Sequence, residues 1–514
     1  MGVSAKCQYY LCEKARIMEL GSKSQPQKCD ETKSFCMDRL SDLPNEIIVS
    51  ILSFLKLKEA ARTSVLSRRW GHLWKFTTGS LDFDDSSLQY LRKKSFFKTL
   101  PGIDRDRYVS WVNHVLQLHQ AHTIDEFKVD FPLKEECNKL DIDNWILFSL
   151  RKKVKRLSLD FDPIITGLAR GHYTLPTQIP HGYSLNFLTN LSLSYVEVTG
   201  KVLAYVLSNC PYIEALHVEA SNSLVKLKSS RPLLKLKHLE ILRCFSLKKI
   251  EISAINLVSF KYFGDKIRLR LGDVPNLVDV SMDGLYACDF VKKCCPISSS
   301  LSQLQTIVLK VYVEGFPKFP ELRSLKKLTL IVSSYRAHSL LCCTSVLKAS
   351  PFLQKFTLEM IGLNNDLGKI EAQKAKCPHQ CLKVLELIGF VGGTRDMELA
   401  LDVLNNAMSL ETIIIDTRLP FVENIRDPET KLAALTHARQ LETTLPPRIK
   451  MVNSERLMAR LFTNWQSFFA SGIAMSVNGE SQTAPPSTAP PPQDQVQGDG
   501  DGDCEFLWSF SLTV

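Results

Sequence analysis

Three residues that can bind a metal ion lie within five positions at Cys377, His379 and Cys381. Thiolate sulfur and imidazole nitrogen are the ligands that structural zinc prefers, but such a site takes four ligands, usually as two separated pairs. A second pair would have to come from a distant part of the chain, such as Cys342 and Cys343. We therefore expect ordinary turn residues here, and we predict no metal and no other cofactor.

Two further searches for chemistry also give negative expectations. Asp499, Asp501 and Asp503 alternate like the opening of a calcium loop, but the glycine and closing glutamate of such a loop are missing. The sequence contains no P-loop, no G-x-G-x-x-G after a strand, no G-x-S-x-G and no H-E-x-x-H. The 11 histidines show no base-and-nucleophile pattern. We predict that the chain is not an enzyme.

The composition indicates a soluble globular protein. Of the 514 residues, 45% are apolar and 23% are charged, and the net charge is +10. This mild charge does not argue for a nucleic-acid partner, and we expect the densest basic run, 151–156, to be a solvated edge. No apolar run is long enough to span a membrane. The 15 scattered cysteines and the lack of a secretion signal predict a nuclear or cytoplasmic location.

A repeated apolar hexad decides the expected fold. The template apolar-x-x-apolar-x-apolar recurs twelve times in steps of 20 to 34 residues, close to the 20–29 residues of leucine-rich repeats. The last two apolar positions of each hexad lie two apart, so they point to the same side of a short strand. The matches are Ile124-Phe127-Val129, Val154-Leu157-Leu159, Leu188-Leu191-Leu193, Ile213-Leu216-Val218, Leu236-Leu239-Ile241, Leu257-Phe260-Tyr262, Leu277-Val280-Met282, Leu304-Ile307-Leu309, Leu325-Leu328-Leu330, Leu353-Phe356-Leu358, Leu382-Leu385-Leu387 and Leu410-Ile413-Ile415.

The fold class that follows is an α/β solenoid. One such strand cannot bury its apolar face alone, whereas stacked neighbours can, which gives a curved parallel sheet. Segments 201–211, 339–351 and 397–408 carry helical apolar spacing between hexads. We therefore predict strands inside the curve and helices outside it.

A compact apolar unit precedes the repeats. Ile47, Ile51 and Leu55 have helical spacing after Pro44, and Trp70, Leu73 and Trp74 have the spacing of a further short helix. About 40 residues are few for an independent fold. The unit is therefore either a cap buried on the repeat array or a docking surface for another protein.

A resemblance favours docking. The strings "LPNEIIVSILSFL" and "RTSVLSRRWGHLW", followed by "GSLDFDD" at 79–85, closely resemble the F-box of plant F-box proteins with leucine-rich repeats. Residues 381–416 resemble the FBD segment that closes many such arrays. Two departures from the family pattern are Lys56, where many relatives carry proline, and Gly71, where a basic residue is usual.

The resemblance implies a substrate-recognition subunit of an SCF-type cullin–RING ubiquitin ligase. The F-box would bind a Skp-family adaptor, and through it the cullin, with Glu46 and Arg69 as rim charges. The repeats would bind a protein substrate that the sequence does not identify. The alternative is a repeat scaffold without a ubiquitin-ligase role. The adaptor-binding residues that the resemblance implies are Leu43, Pro44, Glu46, Ile47, Ile51, Leu52, Leu55, Val65, Leu66, Ser67, Trp70, Leu73 and Trp74.

Substrate contacts are expected on the polar face of the strands. In each strand the residues beside the core positions point away from the core. The candidates for substrate binding are Asn190, Ser192, His217, Glu219, Glu240, Thr306, Lys310, Lys327, Thr329, Glu386 and Asp416.

These interpretations give a domain plan. The plan is a flexible leader (1–37), an F-box with three helices (38–80), a connector (81–122), a leucine-rich-repeat array (123–416) with an FBD-like segment at about 375–416, an extension of undetermined role (417–474) and a disordered Pro/Gly/Asp-rich tail (475–514).

Overall fold

The computed structural model describes residues 42–84, 105–133, 135–162, 172–177, 180, 183–283, 287, 303–312, 319, 321–333, 340, 343, 345–361, 378–418 and 428–453. The leader and the tail named above lie outside these residues, as do Cys377 and residues 85–104 of the connector. All the described residues belong to one compact unit of the chain, which ends at Leu457.

Fourteen parallel strands form the main sheet, each hydrogen-bonded to the next. Strands are numbered in chain order, and β6, β8 and β10 belong to a second sheet described below. The strands of the main sheet are β1 (Ser80–Asp82), β2 (Glu126–Asp130), β3 (Arg156–Asp160), β4 (Asn190–Ser194), β5 (Ala215–Glu219), β7 (His238–Leu242), β9 (Ser259–Phe263), β11 (Asp279–Asp283), β12 (Thr306–Tyr312), β13 (Lys327–Ser333), β14 (Lys355–Ile361), β15 (Val384–Ile388), β16 (Thr412–Asp416) and β17 (Lys450–Asn453).

The twelve hexads stand in register, as the repeat predicted. The central apolar residue of each hexad pairs directly with that of the next, and the leading residue of every hexad is buried. Aligned apolar residues thus form one continuous core along one side of the sheet. The in-register row is Phe127, Leu157, Leu191, Leu216, Leu239, Phe260, Val280, Ile307, Leu328, Phe356, Leu385 and Ile413.

The sheet is longer than the hexads at both ends. β1 adds Leu81 to the row beside Phe127, within a segment that we had assigned partly to the F-box and partly to the connector. β17 adds Met451 beside Ile413, in the extension whose role the sequence did not reveal. Neither strand carries a full hexad, and for this reason the repeat search missed both.

Among the described residues, eight α-helices accompany the strands. The α-helices are α1 (Asn45–Leu52), α2 (Leu57–Arg62), α3 (Arg105–Leu118), α4 (Glu135–Arg151), α5 (Gly200–Asn209), α6 (Ser345–Ala349), α7 (Thr394–Asn406) and α8 (Pro428–Thr444). The expected helices at 201–211 and 397–408 are α5 and α7. The third expected helix was at 339–351. Of the described residues in that segment, only the five of α6 are α-helical.

A second sheet replaces helices between β5 and β11, where strict strand–helix alternation was wrong. β6 (Lys226–Lys228), β8 (Lys249–Glu251) and β10 (Arg268–Arg270) form a three-stranded parallel layer with β8 in the centre. Leu227, Ile250 and Leu269 of this outer sheet are buried. Repeats of only 20 to 23 residues leave room for a three-residue strand but not for a helix of several turns.

Candidate docking surfaces

The N-terminal unit, residues 42–76, consists of α1, α2 and two 3₁₀ segments, Thr63–Val65 and Trp70–Phe76. Two of the three expected helices are thus α-helical, whereas the third is 3₁₀. Ser67 helps to start the last segment, because its Oγ accepts a hydrogen bond from the Trp70 backbone N–H at 3.3 Å.

The unit has its own core. Ile48 and Leu52 of α1 pack in one cluster with Trp70, Leu73 and Trp74, and all five are buried. Leu52, Trp70, Leu73 and Trp74 were expected to face an adaptor. They form the unit's own core, so in this structure they support the exposed surface from beneath. Direct adaptor contact by these four residues stays a prediction.

A second apolar stripe, on α1 and the turn that follows it, remains in solvent. Ile47 is 47% exposed, Ile51 is 42% exposed and Phe54 is 91% exposed. At about 100° per residue Ile47 and Ile51 lie on one side of α1, turned away from Ile48 and Leu52, and Phe54 follows in the turn after the helix. Several exposed apolar side chains on one side of a helix are typical of interaction surfaces.

The same unit exposes two more apolar side chains after its first 3₁₀ turn. Val65 is 85% exposed and Leu66 is 63% exposed. We call these two residues together with Ile47, Ile51 and Phe54 the exposed apolar surface. Phe54 was missing from the sequence-based set, although its i+3 spacing from Ile51 could have identified it.

The remaining predicted adaptor residues are polar or only partly exposed. Pro44, Glu46 and Ser67 are exposed, and Leu43 and Leu55 are half-buried. Arg69, expected as a rim charge, instead ties the unit together: its Nε donates to Asn45 Oδ1 at 2.8 Å and its Nη2 donates to the Leu43 carbonyl.

Hydrogen bonds fix this unit to the first strand of the array. Thr78 N–H donates to Ser53 Oγ at 3.0 Å, and Gly79 packs tightly against the Ser53 carbonyl. The buried ring of His119 follows α3, and its Nε2 donates to the Thr77 carbonyl at 2.9 Å. Burial lowers the pKa of His119 to about 4, so the ring is neutral.

The polar side of the main sheet, which we call the open face, carries ordered rows of side chains. Directly paired residues on neighbouring strands include Ser192 with His217, His217 with Glu240, and Glu240 with Lys261. Strands lie about 4.8 Å apart, so such neighbours contact one another. These polar residues therefore lie on the side of the strands away from the apolar core, and substrate binding there stays a prediction.

A charged network occupies the middle of the open face. His217 Nδ1 donates to Glu240 Oε2 at 3.0 Å, and its Nε2 lies 3.4 Å from Glu219 Oε2. Lys261 Nζ lies 2.6 Å from Glu240 Oε1. Arg243 Nε donates to Glu219 Oε1 at 2.9 Å. These five residues form the central network, which joins three strands.

The network stabilises the charged form of its members. Burial opposes the charge on His217, but hydrogen bonds to Glu219 and Glu240 outweigh it and raise the pKa to about 9. The bond from His217, aided by Lys261, lowers the pKa of Glu240 to about 2. At neutral pH the network therefore contains three cations and two anions, held in fixed positions.

Residues at the turn after each strand extend the network. Tyr195 and Arg243 follow β4 and β7 with positive φ values of 56° and 54°. The Arg243 guanidinium lies 5.7 Å from the Tyr195 ring centroid. Burial and the nearby Asp162 raise the pKa of Tyr195 to about 12. The sequence analysis found neither residue because the left-handed turn that aims them is visible only in the fold.

Other predicted substrate residues are scattered along the same face. Lys310 pairs with Asp283 at 3.6 Å, and Glu386 pairs with Lys355 at 2.7 Å. Asp416 is the exception, because it is buried and its carboxylate accepts hydrogen bonds from Arg418. Its expected exposure to a substrate is therefore wrong. The remaining candidates are half-buried or exposed: Asn190, Ser192, Thr306, Lys327 and Thr329.

Of the metal candidate residues, His379 has a structural role in the fold. His379 is buried, its Nε2 donates to the Ser350 carbonyl at 2.9 Å, and its Nδ1 accepts the backbone N–H of Leu382 at 3.1 Å. Both ring nitrogens are therefore used, which agrees with the expected turn. In the described part of the chain, no helix has both the length and the apolar character that crossing a membrane requires.

Comparisons with known proteins match both regions. A family model of the F-box domain matches residues 40–76, and one described as "At1g61320/AtMIF1, LRR domain" matches residues 172–442. The second match covers more than half of the chain and runs past β16 into the region of α8. The match to the leucine-rich-repeat domain therefore extends past residue 416 to residue 442.

Three relatives from Arabidopsis thaliana illustrate the similarity. The putative F-box protein At3g58860 is 28% identical over 435 residues, 75% of this chain and 90% of the relative. F-box/FBD/LRR-repeat protein At4g26340 is 25% identical over 73% of this chain and 92% of the relative. F-box/FBD/LRR-repeat protein At1g13570 is 32% identical over 48% of this chain and 53% of the relative.

Proposed function

The chain belongs to the plant F-box proteins with leucine-rich repeats, and from this membership we propose that it is the substrate-recognition subunit of an SCF-type cullin–RING ubiquitin ligase. In this proposal the N-terminal unit binds a Skp-family adaptor that is held by a cullin. The repeats bind the protein to be modified. The proposed location is the nucleus, the cytoplasm or both.

The exposed apolar surface is the observation that carries the proposal. Phe54 and Val65 are 91% and 85% exposed, whereas Ile48 and Leu52 of the same unit are buried. Burying a large apolar side chain contributes about 1.5–3 kcal/mol, so several such side chains in solvent fit a unit completed by a partner. A cap that only covered the array would turn these residues inward.

No catalytic group is needed for this role. The protein acts as a tether that raises the effective concentration of a substrate lysine near the charged ubiquitin carrier. Tethering of this kind works when the distance between the two sites is held. The hydrogen bonds of Ser53, Thr77 and Thr78 between the N-terminal unit and the array supply that rigidity.

We propose that the substrate contacts the open face around the central network. His217, Glu240 and Arg243 are held in place by their partners, so a binding protein would lose little side-chain entropy on contacting them. Alternating charges favour a partner with complementary charges over a purely apolar ligand.

The decisive experiment is capture of the adaptor by the full chain. We compare the wild type with the double variant Phe54→Ser/Val65→Ser. A matched control, Leu234→Ser/Ile255→Ser, removes two exposed apolar side chains from the repeats. We expect the wild type and the control to capture a recombinant Skp-family adaptor and the first variant to bind at least tenfold more weakly.

Thermal unfolding of all three proteins separates binding from folding. The four replaced side chains are exposed, so the three melting temperatures are expected to be close. Equal adaptor binding by the wild type and by Phe54→Ser/Val65→Ser would refute the proposed docking surface. If the wild type bound no adaptor at all, the alternative of a repeat scaffold without a ubiquitin-ligase role would replace it.

A further inference from the structure

The outer sheet presents an unusual set of charges. Its strands pair in register, Lys226 with Lys249 and Lys249 with Arg268 in one row. Lys228, Glu251 and Arg270 form the second row, two residues further along each strand. The alternating residues between the two rows are buried, so all six charged side chains point outward.

The fold does not require this pattern. Like charges directly opposite one another destabilise a pair of strands. On the open face the same protein pairs opposite charges across strands, as in Glu126 with Arg156 at 3.6 Å and Glu240 with Lys261 at 2.6 Å. The row Lys226–Lys249–Arg268 has no such alternation.

One carboxylate cannot balance five cations. Glu251 lies 2.5 Å from Lys249, 3.4 Å from Arg270 and 3.8 Å from Lys226. Among the described residues, Lys228 and Arg268 form no ion pair with a carboxylate, and both are exposed. The patch therefore carries an excess of positive charge at fixed positions.

The densest basic run of the sequence offers a contrast. In 151–156, Lys155 pairs with Asp125 at 2.8 Å and Arg156 with Glu126. Lys152 donates to the Ala121 carbonyl at 2.6 Å. These cations are used within the fold, whereas the outer sheet collects its cations from three separate segments.

We propose that the outer sheet is a docking surface for a short, extended segment of a partner protein with aspartate or glutamate at alternate positions. Carboxylates at alternate residues of an extended chain lie about 6.6–6.8 Å apart, which is the spacing between the two cationic rows. The patch is only three strands wide, about 10 Å, so it suits a peptide better than a nucleic-acid duplex that presents phosphates over many base pairs.

The test measures binding of a rhodamine-labelled (Asp-Ser)5 peptide to the full chain at low salt by fluorescence anisotropy. The variant Lys228→Ser/Arg268→Ser removes the two unpaired cations. The matched control, Lys348→Ser/Arg448→Ser, removes one exposed lysine and one exposed arginine elsewhere. We expect the wild type and the control to bind (Asp-Ser)5 and the patch variant to bind it at least tenfold more weakly. We expect none of the three proteins to bind the uncharged (Asn-Ser)5 peptide.

Several results would overturn the proposal. The first is that (Asp-Ser)5 does not bind. The second is that the patch variant and the control lose the same amount of peptide affinity. The third is that an RNA oligonucleotide or phosphatidylserine vesicles bind more tightly than the peptide and depend on the same patch. Adaptor capture depends on Phe54 and Val65 of the N-terminal unit, which are not part of the outer sheet at residues 226–270, so either proposal can fail while the other holds.

Discussion

The imidazole of His217 on β5 donates to the carboxylate of Glu240 on β7, with 3.0 Å between Nδ1 and Oε2. These residues are direct cross-strand partners on the open face. The second ring nitrogen faces Glu219, so the ring bridges two acids and keeps its proton. The centre of the proposed substrate surface is therefore sensitive to pH on the alkaline side.

We predict that His217→Gln destabilises the protein by about 1.5–3 kcal/mol at pH 6, the range for a hydrogen bond to a charged group. The folded pKa, about 9, is above the ordinary value of 6.5. The stabilisation is therefore complete below pH 6.5 and lost as the pH rises through 9. Urea unfolding at pH 6, 7.5 and 9.5 should show the difference from wild type shrinking with pH.

A serine variant controls for general damage to the same surface. Ser192 is the direct cross-strand neighbour of His217 on the open face and does not titrate. Ser192→Ala should give a small difference from wild type that does not depend on pH. A constant effect of His217→Gln between pH 6 and pH 9.5 would contradict the charged state assigned to the ring.

His119 should have the opposite pH dependence. Its folded pKa of about 4 is below the ordinary 6.5 because the ring is buried, so the unfolded chain binds a proton first. The native state therefore loses stability as the pH falls from 6.5 through 4. His119→Gln keeps an N–H donor for the Thr77 carbonyl but does not titrate.

We expect His119→Gln to be less stable than wild type at pH 7.5, by about 1 kcal/mol for an imperfect hydrogen bond. The difference in unfolding free energy between the two proteins should narrow or reverse at pH 4.5. Only the wild type is destabilised there, because its buried imidazole stays neutral while the imidazole of the unfolded chain is protonated. Urea unfolding of both proteins at the two pH values measures this change. A gap that widened on acidification would show that the ring is charged in the native state.

Cysteine reactivity should follow burial. Cys137 is exposed on α4, whereas Cys210 and Cys244 are buried, and burial raises the pKa of both thiols to about 12. Because the thiolate is the reactive form, iodoacetamide should modify Cys137 well before the other two. Mass spectrometry of native and urea-unfolded protein measures the order. Early modification of Cys244 in native protein would contradict its enclosed position.

The sequence predicted the main sheet well because its information is local. Each hexad places Leu or a similar residue at fixed offsets. Superposing the hexads therefore aligns Leu191 with Leu216, which are direct cross-strand partners in the sheet. The outer sheet was missed for the opposite reason. A segment such as Lys226–Lys228 contains one apolar residue between two lysines, and in a single sequence this looks like a polar loop.

The docking residues were harder to predict than the fold. Large apolar residues in a 35-residue unit serve either its own core or a partner, and their types do not distinguish the two uses. Helix geometry does: Leu52 and Trp70 meet inside, whereas Ile51 and Phe54 point outward. The same limit applies to Arg243, whose side chain reaches Glu219 only because a left-handed turn follows β7.

Two glycines near the N-terminal unit should respond oppositely to the same substitution. The Cβ of an alanine at position 79 would collide with the carbonyl of Ser53, which is backbone and cannot move aside. We predict that Gly79→Ala destabilises the protein by about 1–3 kcal/mol, as overpacking does. At Gly71 the nearest atom to a new Cβ, the Ser64 carbonyl oxygen, is 3.8 Å away, so Gly71→Ala should stabilise by about 0.4–1 kcal/mol. Urea unfolding of both variants checks the signs, and a neutral Gly79→Ala would mean that the unit is not tightly joined to the first strand.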